Sequence, residues 1–188
     1  MPPTLSDSRT AIRRQAILAS ARWCFLNFGF NRTSLDDIAN RAQLSRTLLY
    51  RFFKDKPAIY EAVFIEWVLS KQPLAQDAAR RDGAPALRLT EVCRALLLEP
   101  WAEMICTPMG AEFLAACADI APASESLYRK TLLDSAAAIL ADTQSADVFL
   151  LALDGLLFDR PPAAVLDARL KILIDRFTGS ISPTGPTA

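Results

Sequence analysis

The chain contains no histidine. That removes Ser-His-Asp and Cys-His catalysis and every His-ligated metal site, so an enzyme is not expected, nor any cofactor or metal. The four cysteines, Cys24, Cys93, Cys106 and Cys117, form no CxxC pair and read as small buried hydrophobes of a reducing compartment. A redox switch between Cys106 and Cys117 is the alternative. Against it, Pro108 and Gly110 interrupt any continuous helix between the two, and no cluster of cations marks a low-pKa thiol. No charge-free apolar run approaches the roughly 18 residues needed to cross a bilayer, and MPPTLSDSRT lacks a hydrophobic signal core. A cytoplasmic protein without a membrane partner is expected. Net charge is also missing, with 21 Lys or Arg against 21 Asp or Glu.

That zero is an average over two unlike parts. Residues 1–60 carry ten Lys or Arg against four Asp or Glu, a net of +6, and the remainder, with eleven against seventeen, nets −6. A basic head on an acidic body points to a polyanionic partner for the head. With 52% hydrophobic residues in a chain of 188, there is enough apolar surface for a substantial core.

Apolar spacings of three and four recur between turn signals along the whole chain, and no sequence repeat is present. The reading is all-α. A first helix is expected over Ser8 to Phe28, with Leu18, Ala21, Phe25 and Phe28 on one stripe and Gly29 in the left-handed position after its end, bringing Phe30 onto Phe25. Ser34 and Asp37 make a short capping box for a second helix ending near Ala42, with Leu35, Ile38, Ala39 and Ala42 inward. Ser45 caps a third, in which Leu48 or Leu49, Phe52 and Phe53 face the core. Two short helices joined by a three-residue turn form a helix-turn-helix. A longer helix starts at Pro57 and runs past Phe64 and Trp67 toward Ala79. Breaks at Glu99-Pro100, Thr107-Pro108, Ala121-Pro122, Asp142 to Ser145 and Arg160-Pro161-Pro162 delimit the rest. The organisation expected is an arm and helix-turn-helix domain over 1–56, a helical domain over 57–179, and a disordered tail over 180–188.

The third helix carries the polar chemistry. Arg46, Thr47, Tyr50 and Arg51, at i, i+1, i+4 and i+5, share one side opposite Leu49, Phe52 and Phe53. Such a face can enter a major groove, where base-edge acceptors lie. Lys54 and Lys56, with Arg9, Arg13 and Arg14, can neutralise phosphates. The free N–H groups opening the second helix, with Thr33 or Ser34, form a further phosphate seat.

The run AILASARWCFLNFGFNRTSLDDIANRAQLSRTLLYRFFKDKPAIYEAV resembles the N-terminal DNA-binding domain of the TetR (tetracycline repressor) family. The likeness is carried by Phe25, Gly29-Phe30, Thr33-Ser34, Asp37-Ile38-Ala39, Ala42, Ser45, Leu49-Tyr50, Phe53-Lys54 and Lys56, over about a third of the chain. It implies an all-helical homodimer binding a double-stranded DNA operator, a nucleoid-associated location, and a C-terminal domain that binds a small effector. By position it implies phosphate contacts for Tyr50, Lys56 and Thr33 or Ser34, and base-facing places for Arg46, Thr47 and Arg51. Two positions depart from the pattern: Gln43 stands where the family usually has Gly in the turn, at a cost of roughly 1 kcal/mol for a left-handed Gln, and Phe52 stands where His or Tyr is frequent.

Residues 60–188 hold no motif of chemistry. Trp67, Trp101, Met104, Met109, Phe113 and Cys117 are the candidates to line an apolar pocket for a hydrophobic or aromatic effector, with ordinary core as the equal alternative. ADVFLLALDGLLFD, over 146–159, is apolar all round, which requires cover on more than one side. With the helix over Ala163 to Phe177 it offers Phe149, Leu153, Leu156, Leu157, Leu166, Leu170, Leu173 and Phe177 for dimerisation as a four-helix bundle, the alternative being that both helices are interior to a monomer. The expected function is a ligand-responsive repressor on a pseudo-palindromic operator. A constitutive DNA-binding protein with a structural C-terminal half, or a helical enzyme or small-molecule carrier, are the alternatives.

Overall fold

The computed structural model describes residues 5–179, and every regular element among them is a helix. The tail expected to be disordered, 180–188, lies outside the described residues. The helices are α1 (Leu5–Phe28), α2 (Leu35–Arg41), α3 (Arg46–Phe52), α4 (Lys56–Arg80), α5 (Pro85–Cys93), α6 (Glu99–Ile105), α7 (Gly110–Ala115), α8 (Cys117–Ile120), α9 (Pro122–Leu140), α10 (Thr143–Leu157) and α11 (Ala163–Gly179). No described helix is long and apolar enough to cross a membrane. Packing divides the chain into two compact units, and not by a single cut after residue 56. The first takes Met1–Val68 together with Met104–Ser126, the second Leu69–Glu103 together with the chain from Leu127 on.

In the first unit, α1 ends as its sequence dictates. Gly29 has φ +83°, its N–H reaches the Phe25 carbonyl at 3.0 Å, and the Phe30 ring returns to within 5.7 Å of the Phe25 ring. A Cβ there would lie 2.6 Å from Glu112 Oε1 and 2.9 Å from the Met109 methyl, side-chain ends that could shift, so it is the left-handed φ that requires glycine. The stripe departs from expectation at one residue. Leu18, Ala21 and Phe25 are buried, but Phe28 is 43% exposed and stands edge-on to Trp23; Phe30 takes the core place beside Phe25.

Tyr60 of α4 is the hub of this unit. Its ring is fully buried, with the rings of Phe25, Phe30, Phe64 and Phe113 between 5.1 and 5.2 Å away. Its hydroxyl donates to the Phe113 carbonyl, and burial pushes the phenol far above its ordinary pKa. Phe113 also stacks on Phe64 at 4.6 Å. The Met109 N–H reaches the Leu26 carbonyl at 2.9 Å.

These contacts correct part of the effector reading. Met104, Phe113 and Cys117 are core residues of the first unit, and Met109 closes over Gly29. Trp101 is buried in the second unit, where its indole N–H donates to the Pro161 carbonyl at 2.8 Å. Trp67 remains half-buried. Core and pocket lining share one composition, so sequence could not separate them.

In the second unit, α11 packs against α5 and α10. Phe149, Leu153, Leu166 and Leu170 are buried within this single chain, so they cannot be the pairing surface that their sequence suggested. Leu156, Leu157, Leu173 and Phe177 are half-buried. The stripe turned outward is Val148 and Leu151 of α10, Phe158 just after it, and Val165 and Ile172 of α11. On helices apolar all round, the side that faces in is set by the neighbours and leaves no periodic mark.

The expected break at Glu99-Pro100 is absent. Residues 94–98 instead widen into a π-turn between α5 and α6, since Pro100 supplies no N–H and its ring crowds the carbonyl four residues back. Pro73 likewise stands inside α4, leaving the Leu69 carbonyl without its helical donor. Arg88 hydrogen-bonds the Ala78 and Ala79 carbonyls at the end of α4, satisfying acceptors a helix terminus leaves orphaned. Arg169 grips Asp159 through both oxygens at 2.6 and 2.7 Å and the Leu156 carbonyl at 3.2 Å, fixing the turn from α10 to α11.

Among the described residues, three other than glycine adopt left-handed backbone: Gln43 (φ 56°), Ala141 (φ 57°) and Arg160 (φ 50°). The turn after α2 is thus the expected one, built with Gln. Gln43→Gly should raise the unfolding free energy by about 0.5–1 kcal/mol, read by chemical denaturation. Tyr60→Phe keeps the ring but orphans the buried Phe113 carbonyl. It should cost about 1–3 kcal/mol in the same assay.

Candidate nucleic-acid interface

The helix-turn-helix is assembled from four buried anchors and two caps. Ile38 and Ala39 bury the inner side of α2, and Leu49, 0% exposed, buries that of α3. Phe53 closes α3 from beyond its end at 7% exposure. The Ser34 hydroxyl accepts from the Asp37 N–H, and Asp37 in turn accepts from the Ser34 N–H at 2.8 Å, completing the box. Hydrogen bonds from the Ser34 hydroxyl and backbone hold the Asp37 carboxyl below its usual range. Ser45 accepts from the Leu48 N–H at 3.2 Å. Between the helices, Leu44 N–H reaches the Ala39 carbonyl at 3.0 Å across the turn at Gln43.

With Leu49 pinned inward, helical geometry leaves Arg46, Thr47, Tyr50 and Arg51 exposed on one side of α3. Leu48 and Phe52 are intermediate. Lys54 follows the helix with its side chain 82% exposed, 3.9 Å from Asp55. Arg9, Arg13 and Arg14 lie exposed on α1, and the Arg14 guanidinium stands 5.6 Å over the Phe53 ring.

Three residues expected to meet phosphate are otherwise occupied. Thr33 is 1% exposed, and its hydroxyl donates to the Gly29 carbonyl at 2.8 Å. The seat at the start of α2 is filled by the chain's own Asp37 carboxylate, which also accepts from the Ser34 hydroxyl at 2.7 Å. Lys56 Nζ donates to the carbonyls of Phe30 at 2.7 Å, Thr33 at 2.8 Å and Asn31 at 3.4 Å. An ammonium has three donors, so this one is fully used inside the protein; it also sits 4.4 Å over the Phe30 ring. Desolvation lowers its pKa. Lys56 therefore ties the start of α4 to the turn between α1 and α2.

Three contacts escaped the sequence. The Arg41 guanidinium lies 3.5 Å over the Trp23 ring, joining α2 to α1. Asp36 Oδ2 accepts from Arg46 Nη1 at 2.7 Å, while Arg46 Nη2 reaches the Tyr50 hydroxyl at 3.3 Å. The i, i+4 spacing of Arg46 and Tyr50 could have suggested the second bond. The first crosses the turn and had no periodic signal.

Residues 17–63, which include this whole assembly, match the family model described as bacterial regulatory proteins, tetR family. Among curated proteins, the chain is 37% identical over 82 residues to the HTH-type transcriptional regulator RutR of Escherichia coli strain K12, covering 44% of this chain and 38% of that one. It is 30% identical over 100 residues to the HTH-type transcriptional repressor Rv1474c of Mycobacterium tuberculosis, covering 52% and 48%. The chain thus spans about half or less of the length of the curated relatives it matches. Likeness of fold extends much further along it. A transcriptional regulator from Rhodococcus sp. Rha1 superposes with a TM-score of 0.70 at 21% identity, over 90% of this chain and 99% of that one. SmeT, the repressor of the Stenotrophomonas maltophilia multidrug efflux pump SmeDEF, gives 0.67 at 17% identity, over 93% and 96%. The helix-turn-helix segment, residues 17–63, is thus that of the tetR family of bacterial regulatory proteins, and the fold of the chain agrees with these solved structures over nearly its full length.

Proposed function

We propose that the protein is a transcriptional repressor that binds a pseudo-palindromic operator as a homodimer and releases it on binding a small apolar effector. The observation that carries this reading is the outer face of α3, where Arg46, Thr47, Tyr50 and Arg51 stand exposed over a fully buried Leu49. Arg51 and Thr47 are the base-reading candidates beside Arg46, since a recognition helix presents such side chains to base edges in the major groove. Tyr50, Lys54 and the arginines of α1 supply phosphate contacts. A dimer reading successive major grooves must hold its two recognition helices about 34–36 Å apart. An effector that favours another separation lowers DNA affinity, and DNA weakens the effector by the same factor.

Homodimerisation is supported by Val148, Leu151, Phe158, Val165 and Ile172, large apolar side chains left between 41% and 92% exposed on two adjacent helices. Large apolar side chains left exposed at i, i+3 on α10 and at i, i+7 on α11 offer an interaction site. A constitutive DNA-binding protein is the second reading. It is favoured by the burial of Met104, Phe113 and Cys117 in the core of the first unit, which takes three of the six candidate pocket residues into ordinary packing.

Selection of bound fragments from genomic DNA, followed by salt titration, tests the reading. An enriched pseudo-palindrome with a steep salt slope is expected, and no enrichment at low salt overturns it. Arg51→Ala should relax preference at one operator position by about 1–3 kcal/mol, whereas Lys54→Ala should weaken all sequences and reduce the salt slope by about one. Lys56→Met should leave the slope unchanged and instead lower the unfolding midpoint, because its ammonium is spent on three carbonyls. Leu151→Asp combined with Ile172→Asp should give a folded monomer by light scattering, with loss of operator binding.

A further inference from the structure

The adjacent carboxylates Asp36 and Asp37 open the same helix and do different work. Asp37 is consumed by the Ser34 cap. Asp36 has no part in that box and reaches across the turn to Arg46, the first residue of α3, at 2.7 Å with both side chains 54% exposed. The Tyr50 hydroxyl holds the other arm of the same guanidinium at 3.3 Å, with the Arg46 guanidinium carbon 5.6 Å from the Tyr50 ring centre. An exposed arginine ordinarily samples many rotamers, and ordering it on a ligand has an entropic cost. Here the fork is ordered beforehand, from two sides, at the end of the helix that first meets base edges.

The carboxylate also changes what Arg46 prefers to bind. Beside a phosphate it adds repulsion and offsets the guanidinium charge, so non-specific binding gains little from Arg46. Against a guanine edge the remaining N–H groups can still donate bidentately to O6 and N7. Discrimination is a difference between two affinities, and a repulsive element against the wrong site widens it. Taking the DNA-binding reading above as its basis, we infer that Asp36 is a positioning and specificity-determining residue that aims Arg46 at one base pair of each half-site and withholds it from phosphate.

A bland role competes with this one. An acidic residue in the first turn of a helix is favoured by the helix dipole, and an exposed ion pair adds little stability. The two are separated by measuring wild type, Arg46→Ala, Asp36→Asn and the double variant on an array of single-base changes in the selected operator, with a salt titration on unrelated DNA and a thermal midpoint for each. Arg46→Ala should lose roughly tenfold or more of the discrimination at one base pair per half-site. Asp36→Asn should lose several-fold at that same base pair, bind unrelated DNA more tightly, and steepen the salt slope by about one. The double variant should discriminate no worse than Arg46→Ala alone.

A lowered midpoint with discrimination intact in Asp36→Asn would assign the residue to the helix end and overturn the inference. So would a loss that adds to that of Arg46→Ala, since Asp36 would then act without Arg46. If Arg46→Ala changes no base preference, the inference falls while the regulator reading stands; if no sequence is selected at all, both fall.

Discussion

The first unit is organised by the need to bury a tyrosine whole. Tyr60 brings a large ring into the centre of four phenylalanines, and a buried hydroxyl must find a partner or carry its desolvation cost. Its partner is a backbone carbonyl more than fifty residues later, so residues 104–126 are bound into the same core as α1 and the helix-turn-helix. Each surrounding feature serves that arrangement. Gly29 lets the chain turn back so that Phe30 can reach the cluster, and the absence of a side chain at Gly29 admits Glu112 and Met109.

From that core the polar face is built outward by hydrogen bonds that use charged groups as fasteners. Lys56 spends its ammonium on the turn between α1 and α2, Asp37 caps α2, and Asp36 reaches from α2 to α3. Charge counted in the sequence is therefore a poor guide to charge available for a ligand. Of the basic residues in this segment, those presented to solvent include Arg46 and Arg51 on the outer side of α3, Lys54, Arg32, Arg41 and the arginines at the start of α1, whereas Lys56 is half-buried.

Local rules were readable from the sequence. The end of α1 at Gly29, the caps Ser34, Asp37 and Ser45, the left-handed Gln43 and the outward Arg46, Thr47, Tyr50 and Arg51 all depend on neighbours within about four positions. What escaped depends on partners far along the chain. Thr33 and Lys56 look free in the sequence because their acceptors, backbone carbonyls, carry no sequence signature. Phe149 of α10 and Leu166 of α11 look available for pairing because the inward side of such apolar helices is set by neighbours far along the chain. Met104, Phe113 and Cys117 could equally have lined a pocket, and it is Tyr60 and Phe64 that draw Phe113 inward. Cys117 lies beside Ser124 at 3.8 Å, with burial pushing its thiol up to about 11, so the redox alternative meets an unreactive sulfur there.

The discontinuous make-up of the first unit bears on how such proteins can be recombined. A fragment ending after Val68 would keep every residue of the helix-turn-helix, yet lose the Phe113 ring and the carbonyl that Tyr60 requires. Its severed core would expose an aromatic patch to solvent, the kind of surface that associates non-specifically. The reading head is for this reason not a portable cassette. A chimera that exchanged the helix-turn-helix would have to exchange residues 104–126 with it, which takes three simultaneous crossovers, while point substitution on α3 leaves that core intact.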